Sequence, residues 1–233
     1  MEKLRVEKAS TAYQVAYLAV KTAMVLSNQK MTASGLENLP AKGPYLLAYT
    51  HHNSWDTPIL GSIVYEHTKM PVYFMAKEEL LGRLAIGSLL RSMHALPVSR
   101  NGIKDIGQIR QPIEVLRQGG ILSLAPEGGR VNGDEVAETQ GGVGFIATRA
   151  DVEVIPVGIT GINRQPFLPR HIHVHFGESI VRPNGASRAV RQEIDRELAP
   201  ALQDSLDEAY IQYGLIHGEK AASRLDIGLT KLF

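Results

Sequence analysis

The 233-residue sequence contains no cysteine, and its 25 basic and 24 acidic residues leave a formal net charge of only +1. The absence of cysteine excludes disulfide bonds, cysteine nucleophiles and thiolate metal ligands, although it does not fix the compartment. A net charge near zero gives no support to a protein that binds nucleic acid. Neither a phosphate-binding P-loop nor a dinucleotide-binding glycine fingerprint occurs, so we expect no cofactor.

No stretch of the sequence reaches the roughly 20 apolar residues that a membrane-spanning helix requires. The best candidate runs from Ala9 to Asn28, and Lys21 interrupts it. The N-terminus mixes acidic and basic residues without a clean apolar core before a cleavage site, so we do not expect a signal peptide. We expect a peripheral protein on the cytoplasmic face of the cell membrane.

Residues 9–28 show apolar side chains at steps of three and four, which predicts an N-terminal amphipathic helix. Its apolar face consists of Tyr13, Ala16, Tyr17, Val20 and Met24. Further apolar residues lie off this stripe, so the apolar surface is wide. Such a helix packs on the protein core or lies in a membrane interface, and both alternatives stay open.

Short apolar runs alternate with helical patterns through the middle of the chain, which predicts a single α/β domain. We expect a mostly parallel or mixed sheet flanked by helices, with strands at residues 45–49, 71–76, 95–99, 121–125, 152–159 and 172–176. Pro156 lies inside the fifth of these, which predicts an edge or bulged strand. The charged stretch from Ala186 to Tyr213, which includes Arg191, is interpreted as helical on either side of a break at Pro200, with a solvated face.

The segment from Tyr49 to Pro58 joins a predicted strand to a predicted helix and carries two histidines and an aspartate. A neutral imidazole can take a proton from a hydroxyl near neutral pH, and a carboxylate on its other nitrogen fixes the tautomer. The residue types alone do not decide whether His51 or His52 pairs with Asp56. In the alternative interpretation Ser54, Asp56 or Thr57 only caps the helix, and the histidines are ordinary loop residues.

Two further loops follow predicted strands: the first contains Arg100, and the second is Pro126-Glu127-Gly128-Gly129-Arg130. Ligands bind at the carboxyl ends of the strands in an open α/β sheet, so the loops converge if their strands are parallel neighbours. The two arginines can then grip a phosphate, and the glycines can bring backbone N–H groups close to a phosphate or an oxyanion. Taken singly, each loop is better interpreted as a plain turn, and it is their joint occurrence that favours a site.

Taken in chain order, these loops and the apolar strand at residues 154–157 resemble the sequence blocks of the glycerolipid acyltransferase superfamily, specifically the 1-acylglycerol-3-phosphate acyltransferases. The blocks are H-x-x-x-x-D at His51 and Asp56, a block that ends in Arg100, P-E-G-T/S-R at residues 126–130, and an apolar V-I-P-V strand at residues 154–157. The resemblance covers roughly Leu36 to Ile180, and the order and spacing together make it specific.

The resemblance implies an O-acyltransferase of phospholipid biosynthesis. Such an enzyme moves a fatty acyl group from acyl-CoA or acyl carrier protein to the free hydroxyl of 1-acylglycerol-3-phosphate, giving phosphatidic acid. It implies that His51, not His52, is the general base and that Asp56 orients it. By the same resemblance the acceptor is bound by Arg100, Glu127, Gly128, Gly129 and Arg130. The implied division is a helical membrane-interface segment at residues 1–35, an acyltransferase domain at 36–213 and a tail at 214–233.

Three positions depart from the family pattern. Ser99 stands where an acidic residue often precedes the arginine, Gly129 replaces the usual Thr or Ser, and Gln140 falls where many members have a lysine. The loss of that cation leaves room for another lysolipid or a lipid alcohol as acceptor. A non-catalytic protein that binds lipid or acyl carrier protein is the other alternative, and the presence of both His51 and Asp56 argues against it.

His171, His173 and His175 alternate along a predicted strand and therefore share one face. Metal binding by three such histidines is conceivable. Because no carboxylate or fourth histidine is obviously placed to complete a site, we expect three exposed strand histidines and no metal.

Overall fold

A computed structural model describes residue 6 and residues 9–26, 30–99, 106–131, 136–161, 171–180 and 188–217. The strands are β1 (Lys30–Ser34), β2 (Tyr45–Tyr49), β3 (Val72–Lys77), β4 (Ala95–Val98), β5 (Ile121–Leu124), β6 (Val154–Thr160) and β7 (His171–Phe176). The helices are α1 (Thr11–Leu26), α2 (Asp56–Thr68), α3 (Glu78–Leu81), α4 (Leu84–Ser92), α5 (Ile106–Arg117), α6 (Gly142–Ala150) and α7 (Arg188–His217), with a short 3-10 turn at Leu36–Asn38.

The strands form one sheet in the order β1-β7-β6-β2-β5-β3-β4. β6 and β7 pair antiparallel, and the other neighbouring pairs run parallel. Every residue of β2 and β6 is buried, as expected of strands covered by helices on both faces. The predicted α/β fold with a mixed sheet flanked by helices is therefore confirmed.

Each face of the sheet carries its own hydrophobic core. Successive side chains of a strand point to opposite faces, so Leu46 and Ala48 of β2 pack into the core that α5, α6 and α7 cover. Tyr45, Leu47 and Tyr49 pack into the other core, which α1 and α2 cover. This alternation buries both faces of the strand that leads into the His51 loop.

α1 is the predicted N-terminal helix, and its apolar stripe packs on the protein. Its buried residues are Tyr13, Ala16, Val20 and Met24. The hydroxyl of Tyr13 also accepts the backbone N–H of Val72 at 3.1 Å, which ties α1 to the start of β3. Within the described residues, no helix combines the length and apolarity that crossing a bilayer requires.

The sheet begins inside the predicted N-terminal segment, residues 1–35. β1 lies at residues 30–34 and pairs in parallel with β7, with Lys30 opposite His171. At the other end, α7 continues to His217, beyond the predicted domain limit at residue 213, and it runs through Pro200, so the predicted break there is wrong. The described part of the predicted N-terminal segment therefore contributes both a helix and a strand to the folded unit.

Pro156 lies in an interior strand, so the expected edge strand is wrong, whereas the alternative of a bulge agrees with the pairing around this residue. The antiparallel register of β6 with β7 begins at Val157 opposite Phe176. The carbonyl of Pro156 accepts the N–H of Gly177 at 2.9 Å, and the carbonyl of Val154 accepts the N–H of Ile180 at 2.8 Å. Because Val154 pairs with Ile180, the pairing continues past Pro156 with one extra residue on the partner side, and this irregularity accommodates the missing proline N–H.

The three histidines of β7 share one face, as predicted, but the expectation that they are exposed is wrong. His171 and His173 are each 2% exposed. The hydroxyl of Thr32 lies 2.7 Å from Nε2 of His171 and 2.8 Å from Nδ1 of His173. The hydroxyl of Ser34 lies 2.9 Å from Nε2 of His173 and 2.9 Å from Nδ1 of His175. Polar side chains of β1 therefore satisfy the imidazoles, and no metal-binding cluster occurs in the part of the chain that is described.

Candidate active site

One cavity of about 860 Å³ opens at the carboxyl ends of β2, β5, β3 and β4. These four strands are parallel neighbours in the sheet, which is the condition for their loops to converge. The cavity is lined by His51 after β2, by Ser99 after β4 and by Gly128, Gly129 and Arg130 after β5. Arg100 lies outside the described residues, so its role stays a prediction.

His51 and Asp56 are in contact at the entrance of α2. Nδ1 of His51 lies 3.0 Å from Oδ2 of Asp56, whose side chain is 1% exposed. The same oxygen accepts the backbone N–H groups of His52 and Asn53, each at 2.7 Å. Asp56 thus binds the loop that precedes the helix, and its side chain does not cap the helix itself. Of the two histidines, it is His51 whose ring contacts Asp56 and lines the cavity.

Glu127 lies behind the cavity wall and holds the backbone of the His51 loop. Its Oε2 accepts the backbone N–H of His51 at 3.2 Å. The carbonyl of His51 accepts the N–H of Val131 at 2.8 Å, so the loop after β5 binds both backbone groups of this residue. Burial raises the pKa of the Glu127 carboxyl. The described contacts of Glu127 are therefore those of a residue that positions His51.

The two glycines of this loop have different surroundings. Gly128 has a φ of +74°, in the left-handed region that favours glycine, and a Cβ atom there would lie 2.7 Å from Nε2 of Gln140. A Cβ atom on Gly129 would have no neighbour within 4 Å. Gln140 covers the loop, since its backbone N–H donates to the carbonyl of Pro126 at 2.7 Å and its side chain to that of Glu127 at 3.3 Å.

Arg130 extends from the loop after β5 towards the His51 loop. Its Nη1 lies 3.4 Å from the hydroxyl of Ser54, and both side chains line the cavity. The guanidinium is exposed, so it remains accessible to an anionic ligand. Of the five residues predicted to bind an acceptor, Gly128, Gly129 and Arg130 line the cavity, and Glu127 supports it.

The rest of the cavity wall is apolar and comes mainly from β3, α3 and α4. Its apolar side chains include Phe74, Met75, Leu80, Ile86, Leu90, Met93 and Val98. Ile86 and Leu80 also reach the protein surface, at the outer side of the same wall. The cavity is therefore amphipathic, with a polar end at His51 and Arg130 and a long apolar side.

Sequence reasoning missed the cations that α7 and β3 bring to the cavity. Arg191 of α7 lines it, although the charge pattern of that helix indicated a solvated face. Lys77, at the end of β3, also lines it. No local motif marks either residue, because α7 meets the cavity only through the packing of the folded chain.

The chain matches the model of the acyltransferase family over residues 30–160. It belongs to the acyltransferase family. The matched residues run from the start of β1 to the end of β6 and include the three loops described above, whereas α1, β7 and α7 lie outside them. The resemblance carried by the motifs is therefore confirmed at the level of the family.

Among relatives of this acyltransferase are two named 1-acyl-sn-glycerol-3-phosphate acyltransferase. That of Bacillus subtilis (strain 168) is 33% identical over 125 residues, which are 54% of this chain and 60% of the relative. That of Streptococcus pneumoniae (strain R6) is 33% identical over 119 residues, which are 50% of this chain and 42% of the relative. The chain thus matches these relatives over about half of their length.

A similar solved structure is the crystal structure of the 1-acyl-sn-glycerophosphate (LPA) acyltransferase PlsC from Thermotoga maritima. The TM-score is 0.69 at 20% sequence identity, with 84% of this chain and 78% of that chain covered. At this identity the likeness concerns the fold, and it agrees with the mixed sheet and flanking helices found here.

Proposed function

We propose that the protein is an O-acyltransferase that moves a fatty acyl group from an acyl thioester to the free hydroxyl of 1-acylglycerol-3-phosphate. The product is phosphatidic acid, a step of phospholipid biosynthesis. The observation that carries the proposal is the His51–Asp56 contact at the polar end of an amphipathic cavity, in a chain of the acyltransferase family. The names of the relatives support the choice of acceptor.

In the proposed mechanism His51 is the general base. Nδ1 is engaged with Asp56, so Nε2 takes the proton of the acceptor hydroxyl, whose oxygen attacks the thioester carbonyl carbon. The C–S bond breaks as the new C–O ester bond forms, and the thiolate leaves with the proton that His51 returns. Asp56 holds the ring in position and stabilises the imidazolium. No serine or cysteine nucleophile is required.

The two ends of the cavity suit the two ends of a lysophospholipid. Arg130 offers a guanidinium to the acceptor phosphate, while Gly128 and Gly129 bring the backbone close to the reacting carbonyl. The apolar wall formed by β3, α3 and α4 accepts an acyl chain. Acyl-CoA and acyl carrier protein are both donors under the proposal, because each presents the same kind of thioester.

The proposed location is the cytoplasmic face of the cell membrane, with peripheral attachment. Large apolar side chains are exposed on α1 and around α4, namely Val15, Leu18, Val25, Leu26, Leu80, Leu84, Ile86 and Leu89. α1 and α4 contact each other, and we call the surface that they form together the apolar side of the molecule. Because Ile86 and Leu80 also line the cavity, a bilayer on this side would lie next to the apolar wall.

Transfer by the wild type and by His51→Ala tests the proposal. We expect the variant to lose at least ~100-fold in kcat/KM on lysophosphatidic acid. His67→Ala, on the exposed side of α2, is the matched control and should keep full activity. Acyl-CoA and acyl carrier protein thioesters are both supplied as donors. No transfer from either intact donor to any lysolipid by the folded wild type would overturn the proposal and favour a lipid-binding protein.

The second candidate is the same chemistry on another lysolipid or on a lipid alcohol. It is favoured by Gln140, which places an uncharged amide over the loop at Gly128. A panel of lysophospholipids and monoacylglycerol distinguishes the two, because kcat/KM on lysophosphatidic acid should exceed that on the others if the principal proposal is correct.

A further inference from the structure

The guanidinium of Arg191 lies on the wall of the cavity, in a helix outside the residues that match the family. Arg191 belongs to the first turn of α7, which packs against α6 and crosses β6 and β7. This helix is distant in sequence from the three loops. Arg191 therefore reaches the cavity only through the packing of the folded chain.

Three contacts hold the Arg191 side chain in one orientation. Its Nη2 donates to the carbonyl of Gly141 at 3.1 Å, and its Nε lies 3.5 Å from Oδ2 of Asp195. Its Cζ lies 5.2 Å from the centre of the Phe145 ring, within reach of a cation–π contact. A Cβ atom on Gly141 would lie only 2.8 Å from Nη2, so glycine leaves the room that the guanidinium occupies.

A short series of contacts connects Arg191 to His51. Gly141, which binds the guanidinium, directly follows Gln140, and the side chain of Gln140 donates to the carbonyl of Glu127. The carboxylate of Glu127 in turn accepts the N–H of His51. The guanidinium is therefore built into the same framework that holds the proposed base.

The charges on the cavity wall are of one sign. Lys77, Arg130 and Arg191 line it, and no aspartate or glutamate is found among the described lining residues. Asp195 contacts Arg191 through Nε, which leaves Nη1 without an acceptor in the described part of the chain. A planar guanidinium with unused N–H groups matches the oxygens of a phosphate.

We propose that Arg191 binds the phosphate of the lysophospholipid acceptor and so determines specificity for a phosphate-bearing lipid. This inference rests on the proposed function. Asp195, Phe145 and Gly141 fix the orientation of the guanidinium before the ligand arrives, which lowers the entropic cost of binding.

The test compares Arg191→Gln and Arg191→Lys with the wild type. KM and kcat are measured for lysophosphatidic acid and for monoacylglycerol, which lacks the phosphate, and KM is measured for the donor. We expect Arg191→Gln to raise the KM for lysophosphatidic acid about 10- to 100-fold, with kcat, donor KM and the constants for monoacylglycerol unchanged. The KM of Arg191→Lys for lysophosphatidic acid should lie between those of the wild type and Arg191→Gln. Arg196→Gln removes an exposed charge of the same helix and is the control that should change nothing.

An equal loss on both acceptors would overturn the proposal, since it indicates that Arg191 only joins α7 to α6. A raised donor KM with an unchanged acceptor KM would also overturn it and assign the guanidinium to a phosphate of the donor. If the wild type shows no transfer, the proposed function fails, and calorimetric binding of lysophosphatidic acid then tests Arg191 directly. If Arg191→Gln binds lysophosphatidic acid tenfold more weakly than the wild type, the phosphate site is supported. Unchanged binding would contradict it.

Discussion

One oxygen atom of Asp56 holds both the imidazole of His51 and the loop that carries it. Oδ2 lies 3.0 Å from Nδ1 of His51 and 2.7 Å from the backbone nitrogens of His52 and Asn53. The position of the ring and the shape of its loop therefore depend on the same carboxylate. Within the six-residue motif this coupling fixes the ring relative to its loop, and the loop after β5 then holds the backbone of His51 in the folded chain.

Replacing Asp56 with asparagine should separate the effect of its negative charge on catalysis from its hydrogen bonds to the His51 loop. Asparagine keeps an oxygen acceptor but loses the negative charge that stabilises the imidazolium, so we expect kcat to fall by a factor on the order of 10²–10⁴. Asp56→Ala also removes the acceptor from buried donors and should lower the free energy of unfolding by about 1–3 kcal/mol. Kinetics and urea unfolding measure the two effects. Asp151→Asn, on the exposed end of α6, is the control. Full activity of Asp56→Asn would contradict the proposed role.

Glu127→Gln should keep or increase stability at pH 7.5. Burial raises the pKa of this carboxyl above its ordinary value of 4.5, so the folded state retains a proton that the unfolded state has lost. The free energy of unfolding then falls as the pH rises from 4.5 through the higher pKa of the folded state. At pH 7.5 the ionised carboxylate therefore destabilises the folded protein. Glutamine removes the charge and can still accept the N–H of His51.

Urea unfolding of Glu127→Gln at several pH values checks this expectation. The gain relative to the wild type should disappear below pH 4.5, where the wild-type carboxyl is protonated in both states. Glu178→Gln, at an exposed position, should show no such pattern. A lower stability of Glu127→Gln at pH 7.5 would mean that the ionised carboxylate stabilises the His51 loop.

The adjacent glycines of the loop after β5 form a matched pair. Gly128→Ala forces a side chain into the left-handed region and against Gln140, and we expect it to lower the free energy of unfolding by about 1–3 kcal/mol and to reduce kcat. Gly129→Ala enters open space, so its effect should stay within about 0.5 kcal/mol. Denaturant unfolding and transfer kinetics of both variants test the pair. Equal effects would show that the two positions are not as different as the geometry indicates.

The β7 histidines should make stability depend on pH. Burial, together with the neighbouring His171 and His175, lowers the pKa of His173 from 6.5 to about 4. Between these values the unfolded state binds more protons, so stability rises with pH across this interval and is lost as the pH falls through it. From pH 7.5 to pH 5 we expect the wild type to lose on the order of 2 kcal/mol through this residue.

His173→Gln keeps polar atoms near Thr32 and Ser34 but cannot titrate. Its unfolding free energy should therefore change less between pH 7.5 and pH 5 than that of the wild type. His67→Gln, at an exposed position, should keep the wild-type slope. The same slope in His173→Gln and in the wild type would show that His173 does not carry the effect.

Local patterns in the sequence predicted much of the fold. The apolar runs at β2 and β5 indicate buried strands, and the loops behind them hold the motif residues, because strand and loop are adjacent in the chain. β1 escaped prediction because Lys30-Met31-Thr32-Ala33-Ser34 is not a continuous apolar run. Without β1 the histidines of β7 looked exposed, although the hydroxyls of that strand cover them.

Contacts between distant segments could not be predicted in this way. Arg191 and Gly141 are separated by 50 positions, and only the packing of α7 on α6 brings them together. The support that Glu127 gives to His51 likewise spans 76 positions. Helical charge patterns show which side chains are polar, but they do not distinguish a side chain that faces bulk solvent from one that lines a cavity.

The apolar side of the molecule provides the test of membrane attachment. Leu84 is 94% exposed and is the first residue of α4, where a glutamate is compatible with the helix dipole. If this side rests on a bilayer, Leu84→Glu should lower partitioning to vesicles of anionic phospholipid about tenfold or more, because burying a leucine stabilises by about 1.5–3 kcal/mol. Gln192→Glu adds the same charge on α7, which covers the other face of the sheet, and should bind as the wild type does.

Sedimentation with vesicles measures binding, and transfer kinetics show what binding does for the reaction. Leu84→Glu should slow transfer to an acceptor embedded in vesicles and leave transfer to a water-soluble, short-chain acceptor unchanged. This difference is expected because Ile86 and Leu80 connect the exposed surface to the cavity wall, so only the bilayer-bound lipid needs this route. If Leu18→Glu on α1 abolishes vesicle binding while Leu84→Glu has no effect, α1 alone attaches the protein, and the acceptor must reach the cavity by another path.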